Sequence, residues 1–183
     1  EHCEVRFYGR GGNDEIGSYL ISSLKKTPVV LKDFKLINNQ TPSTVVLSDP
    51  GFEGGHGERM FINSIAAAWE YGPNNLDDDF FNSDIVVFGG TGLVPQIHDN
   101  LTSLLRKAKS QGCITIVNTV FDFRNEKANP AMKWPLGESD ESYRYIDLLI
   151  TDQEEAFRLS GETEAPNAIK FFLDRKVASL MVT

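Results

Sequence analysis

The chain has 183 residues, 18 Lys and Arg against 26 Asp and Glu, and a formal net charge of −8. That balance speaks against a surface built to hold a nucleic-acid backbone, which is normally basic. With 40% apolar and 24% charged residues the composition is that of an ordinary globular domain. The longest apolar runs, such as Ile85 to Phe88, fall far short of the ~20 residues a membrane helix needs. Cys3 and Cys113, without CxxC spacing, suggest neither a disulfide framework nor a zinc site, and the compartment reads as reducing cytoplasm.

Val5 to Tyr8 is a β-prone run leading into Gly9-Arg10-Gly11-Gly12-Asn13-Asp14. Asp14 stands where a helix N-cap belongs, ahead of Ile16, Tyr19, Leu20 and Leu24 at helical spacing. From Val29 to about Asn63 the pattern changes to short β-rich pieces, Phe34 to Ile37, Thr44 to Leu47 and Arg59 to Asn63, interrupted by a glycine-rich loop from Pro50 to Gly57. This stretch is expected to form an antiparallel sheet inserted into something else. Ile85 to Phe88 is a continuous apolar strand. Gln96 to Lys109 follows as an amphipathic helix with Pro95 at its start and an inward stripe of Ile97, Leu101, Leu104, Leu105 and Ala108. A strand at Ile114 to Val117, a long loop from Phe121 to Gly137, and a strand at Leu148 to Ile150 come next. Helices near Gln153 to Ser160 and Pro166 to Lys176, then a strand at Ser179 to Val182, complete the order. Apolar strands alternating with amphipathic helices predict a parallel sheet covered on both faces. The chain starts without Met and stops inside an expected strand, so it reads as the middle of a longer protein.

No P-loop, dinucleotide glycine fingerprint, HExxH or GxSxG motif occurs. Gly9, Gly12, Asp14 and Gly17 are what a plain strand-to-helix turn would use. Asp152 and Glu155 suit a solvated helix N-terminus, where the dipole favours acids, and so do Asp77, Asp78 and Asp79. Gly89-Gly90-Thr91-Gly92 lies at the carboxyl end of a parallel strand, where open α/β sheets place ligands, although a turn would use the same residues. His56 and His98 have no partner at metal-ligand spacing and are expected on the surface.

Taken in order, these pieces resemble the ribokinase-like family of sugar and nucleoside kinases, the PfkB carbohydrate kinases. Gly9 to Gly17 looks like the family's G-x-x-G-x-D-x-x-G segment. Thr41-Pro42-Ser43-Thr44, with Gly57-Glu58-Arg59, looks like its inserted lid strands. Gly72-Pro73-Asn74-Asn75-Leu76 resembles its G-A-N-x-x-L segment, Asp84 to Gly90 the core strand that follows, and Asp152-Gln153-Glu154-Glu155-Ala156 its N-x-x-E motif. The resemblance covers essentially the whole chain. It implies an α/β class protein, a three-layer α/β/α sandwich with a mostly parallel sheet and an inserted small antiparallel β lid. Residues 1–28 would start the core, 29–71 would be mainly lid, and 72–183 would continue the core.

The same resemblance implies ATP-dependent phosphorylation of a sugar hydroxyl, with ATP and Mg²⁺ as cofactors. It further implies a small-molecule sugar as partner, neither nucleic acid nor membrane, and a homodimer formed through the lid. Alternatives within it are a nucleoside kinase, with Phe52 and Phe61 as base-stacking candidates, and a non-catalytic sugar-binding protein of the same fold. On the matching positions Thr41, Gly90 and Arg124 would contact substrate. Asp152 and Glu155 would lie near phosphate and Mg²⁺, Glu155 acting on the metal through water. Asp152 stands where the family has Asn, which adds a negative charge beside the triphosphate. The catalytic Asp is expected beyond Thr183, so the 183 residues alone are expected to be inactive.

Overall fold

The structure is a computed structural model that describes residues 3–52 and 58–183; the glycine-rich loop residues 53–57, His56 among them, lie outside the described residues. The chain divides into two compact units, Glu1–Tyr71 and Gly72–Thr183.

The first unit contains β1 (Gly9–Gly12), α1 (Glu15–Leu24), β2 (Phe34–Ile37), β3 (Ser43–Asp49) and β4 (Glu58–Ser64), followed by a 3-10 turn at Ala66–Glu70. The first strand is made of the glycines themselves. Val5 to Tyr8, expected as that strand, contributes only an isolated bridge between Arg6 and Val30. The reason is steric: a Cβ on Gly11 would lie 2.9 Å from Leu36 Cδ2, and one on Gly12 2.3 Å from the Asn39 carbonyl oxygen. Phe34 to Ile37, expected in the antiparallel sheet, pairs parallel with β1, Gly9 opposite Phe34 and Gly12 opposite Ile37. The antiparallel pair is β3 with β4, from Ser43 opposite Ser64 to Asp49 opposite Glu58. A two-stranded ribbon has two faces, and both are exposed here. Val45, Leu47, Met60 and Ile62 share one of them, and Val46 and Phe61 the other.

The second unit contains α2 (Asp78–Phe81), β5 (Ile85–Gly89), α3 (Pro95–His98), α4 (Leu101–Ser110), β6 (Ile114–Asn118), α5 (Phe123–Ala128), β7 (Leu148–Thr151), α6 (Gln153–Ser160), α7 (Ala165–Asp174) and β8 (Leu180–Val182). The four strands form one parallel sheet in the order β5-β6-β7-β8. The helix expected over Gln96 to Lys109 is two helices, broken at Asp99 and Asn100, yet its stripe of Ile97, Leu101, Leu104, Leu105 and Ala108 is buried as expected. The first turn of α4 is capped from far along the chain. Thr102 and Ser103 donate their N–H groups to the two oxygens of Glu138, each at 2.8 Å. The expected long loop holds α5, whose N-cap Asp122 accepts from Asn125 N–H at 3.1 Å.

Along the strands burial alternates. Val86, Phe88, Thr115, Val117, Leu149 and Thr151 are buried, whereas Ile85, Val87, Ile114 and Met181 are exposed. Within the second unit the connecting helices therefore lie against the face that carries Val86, Phe88, Val117 and Leu149. Each strand is added on the same side of the last, and right-handed crossovers then bring every connecting helix to the same face. The apolar residues of the other face make the strands look continuous in sequence.

Gly17 lies against Gly12 in the first unit, and a Cβ there would come within 2.0 Å of the Gly12 carbonyl oxygen. Gly17→Ala should lower stability by about 3 kcal/mol, read as a reduced urea midpoint. An unchanged midpoint would contradict this packing.

Candidate functional site

Parallel strands deliver their carboxyl ends to one edge, and in the second unit that edge gathers most of the residues singled out by the sequence. Gly89 and Gly90 end β5, Asn118 and Thr119 end β6, and Asp152 follows β7 as the N-cap of α6. Gly90 takes φ +59° and donates its N–H to the Asn118 carbonyl at 2.8 Å, so the turn after β5 is tied to β6. A Cβ on Gly89 would meet nothing within 4 Å, which leaves room for a ligand to approach the backbone.

Glu155 is buried at this edge, 7% exposed. Its N–H donates to Asp152 Oδ1 at 2.7 Å, and its carboxylate accepts a short hydrogen bond from the Thr119 hydroxyl. Burial raises the Glu155 pKa above the usual carboxylate value; the Thr119 hydroxyl opposes that, and the neighbouring charge of Asp152 adds to it. Asp152 itself is exposed. Its carboxylate serves as a helix cap, as the sequence allows, and it also brings a second carboxylate to the same edge. Thr119 was not singled out from sequence. Its position directly after a strand end was the available signal.

A second cluster adjoins the turns after β5 and β6. Arg124, half-buried, forms a bidentate ion pair with Asp99, Nη1 to Oδ2 at 2.8 Å and Nη2 to Oδ1. That pair lowers the Asp99 pKa and raises that of Arg124. Arg124 Nε is buried without a hydrogen-bond partner. His98, expected on the surface, is 4% exposed. Its ring lies between Thr91 Oγ1 and the Pro135 carbonyl oxygen, each at 3.2 Å, with Asp122 Oδ2 at 3.5 Å from Nε2. The missed signal is its spacing: residues 98, 101 and 105 continue the inward stripe of the next helix.

Thr41 belongs to the first unit, where it is buried at the base of β3. Its hydroxyl donates to Asp14 Oδ1 at 2.6 Å and accepts from Gly12 N–H at 2.9 Å, while its N–H donates to Asp14 Oδ2 at 2.7 Å. Asp14 also caps α1 through Gly17 N–H at 2.8 Å. The Thr41 hydroxyl and these N–H groups hold the Asp14 carboxyl below the usual carboxylate range. The Thr41 hydroxyl is thus engaged in anchoring the start of the β3–β4 ribbon.

Among the described residues no group of three or more His, Cys, Asp or Glu side chains could hold a metal ion, and no helix is long and apolar enough to cross a membrane. An open depression of about 590 Å³, lined by Lys133, Asn167, Lys170 and Arg175, contains none of the residues at the strand ends. Its cations are engaged by Asp140 and Asp174.

The raised Glu155 pKa has a definite sign. The folded state holds the proton more tightly than the unfolded state, so stability falls as pH rises through the ordinary Glu value toward the folded one. Glu155→Gln should therefore be more stable than the parent at pH 7 and show less loss between pH 4 and 7 in thermal unfolding. A variant less stable than the parent at pH 7 would contradict this assignment.

No family model matches this sequence, and no curated protein matches it. Solved structures do match. Ribokinase from Arabidopsis thaliana, complexed with ribose and ATP, is 23% identical with a TM-score of 0.69, covering 98% of this chain and 55% of that one. Fructokinase from Xylella fastidiosa is 20% identical with a TM-score of 0.71, covering 98% and 55%. A putative ribokinase II from E. coli is 18% identical with a TM-score of 0.72, covering 98% and 57%. The chain spans about half the length of these proteins. Its mostly parallel strands with one small antiparallel pair are those of the ribokinase-like fold shared by these sugar kinases.

Proposed function

We propose that this chain is part of an ATP-dependent kinase that phosphorylates a hydroxyl group of a sugar. The observation that carries this reading is the convergence of Gly90, Thr119, Asp152 and Glu155 on the carboxyl edge of a parallel sheet, in a fold that includes a ribokinase complexed with ribose and ATP. Phosphoryl transfer needs positioning and charge neutralisation more than covalent chemistry from the protein.

ATP and Mg²⁺ enter by likeness to a putative ribokinase II solved with both. The donors at the edge are hard oxygens, two carboxylates and a hydroxyl, which fit a Mg²⁺ ion that keeps most of its water shell. When bound, the ion would supply positive charge to the phosphates. Glu155, held in place by the Thr119 hydroxyl and the Asp152 cap, would be the residue that orders that water. The open backbone at Gly89, next to Gly90, leaves room for the acceptor, and Arg124, paired with Asp99, is assigned to the acceptor. No described residue is assigned as the base.

On this reading the β3–β4 ribbon, anchored by Thr41 on Asp14, is the counterpart of the family's lid. The apolar stretch Val45, Leu47, Met60 and Ile62 on one of its faces suits burial against a second copy, giving a homodimer through the lid. Cys3 and Cys113 are free thiols, in keeping with a cytoplasmic location. A nucleoside acceptor is the second reading, favoured by the exposed rings of Phe52 and Phe61.

The test is ATP consumption by the complete protein with Mg²⁺ over pentoses, hexoses, ketoses and nucleosides. One class of sugar should be turned over, and Glu155→Ala should lower kcat/KM roughly 10–100-fold with a raised Mg²⁺ requirement. A preference for nucleosides would select the second reading. Acceptor binding without turnover would make the protein a sugar-binding member of the fold.

A further inference from the structure

We propose that His98 is a positioning residue for the acceptor side of this site, a single neutral ring that holds the turn after β5 against the turn after β6. This rests on reading that edge as the acceptor site.

The Pro135 carbonyl oxygen, 3.2 Å from Nε2, can only accept a hydrogen bond, so Nε2 carries the proton. With the ring neutral, Nδ1 is left as an acceptor and the Thr91 hydroxyl, 3.2 Å away, donates to it. Burial favours this neutral form, against the opposing pull of Asp122; Arg124 and Asp99 are the other charges that face the ring. One imidazole thereby hydrogen-bonds Thr91 after β5 and Pro135 beyond α5, with its Nε2–H edge also facing Asp122 after β6 at 3.5 Å. The next residue repeats the clasp, since Asp99 grips Arg124. Consecutive residues 98 and 99 thus hold residues 122 and 124.

The sheet itself does little beyond its ends. The β5–β6 ladder finishes at Gly89 opposite Asn118, with Gly90 N–H to the Asn118 carbonyl as the last tie. Past that point the two turns meet through packing, Gly92 lying so close that a Cβ would be 3.4 Å from Val120 Cγ1. The placement of the Arg124 guanidinium therefore depends on Asp99, and that of the turn carrying Thr91 on His98.

Three measurements on the complete protein decide this. Nitrogen NMR at pH 7 should show His98 as the neutral Nε2–H tautomer. Hydrogen exchange at residues 90–94 and 120–124 should quicken by roughly tenfold or more in His98→Ala. It should quicken less in His98→Gln, whose side-chain N–H can still reach Pro135. In steady-state kinetics the acceptor KM of His98→Gln should rise roughly tenfold while the ATP KM stays at the parental value. An Nδ1–H tautomer, exchange in folded His98→Gln identical to the parent, or equal rises in both KM values would overturn the proposal. If His98→Ala does not fold, the tautomer and His98→Gln still decide it. A parent protein that transfers no phosphoryl group would remove the functional reading, and the tautomer and exchange results would then judge the clasp on their own.

Discussion

Parallel pairing constrains everything in the second unit. A chain that adds strands in the same direction must return to the starting end between them, and each return is a right-handed crossover. In the order β5-β6-β7-β8 that rule sends the helices to one face and the outgoing turns to one edge. The buried face, with Phe88, Val117 and Leu149 and with α4 packed on β6, supplies the apolar burial. The edge, where the ladder runs out, supplies polar backbone and side chains without strand partners. The chemistry of Gly90, Thr119, Asp152 and Glu155 is a by-product of where strands end.

The two polar knots differ in what they cost. Around Asp14 the carboxylate is exposed enough to stay ionised, and every bond it makes also favours its charge, so cap and ribbon anchor reinforce each other. At the strand ends Glu155 is held against its preference, buried beside another carboxylate, with the Thr119 and Thr151 hydroxyls relieving it only in part. Groups kept at odds with their surroundings in this way are common where a ligand completes the arrangement. The arrangement of acids at α6 is therefore poorly explained by helix capping alone, which Asp152 already performs.

Much of this was legible in the residues. The period of Ile97, Leu101, Leu104, Leu105 and Ala108 identified a buried stripe, Asp14 was visible as a cap, and Asp77 and Asp152 were visible as helix-start acids, of which the structure makes caps. The errors came where a distant partner overrides a local preference. Glycine has low strand propensity, so β1 was invisible until Phe34 and Leu36 were known to lie over it. His98 looked like a surface residue because its partners, Thr91, Asp122 and Pro135, come from three separate segments. Thr41 matched a substrate position by motif, but only the pairing of its hydroxyl with Asp14 and Gly12 reveals what it does in the fold.

The cap on α4 bears on how this chain is made. Asn100, at the helix N-cap, makes no side-chain bond to the first turn; the oxygens that satisfy Thr102 and Ser103 come from Glu138, which follows Thr102 by 36 positions. A ribosome adding roughly 5–20 residues per second therefore leaves that turn open for several seconds after its own residues have emerged. During that interval α4 has its apolar stripe but an unfinished start, and β5 and β6 have no settled cover. The start of α4 is completed only when the segment carrying Glu138 arrives.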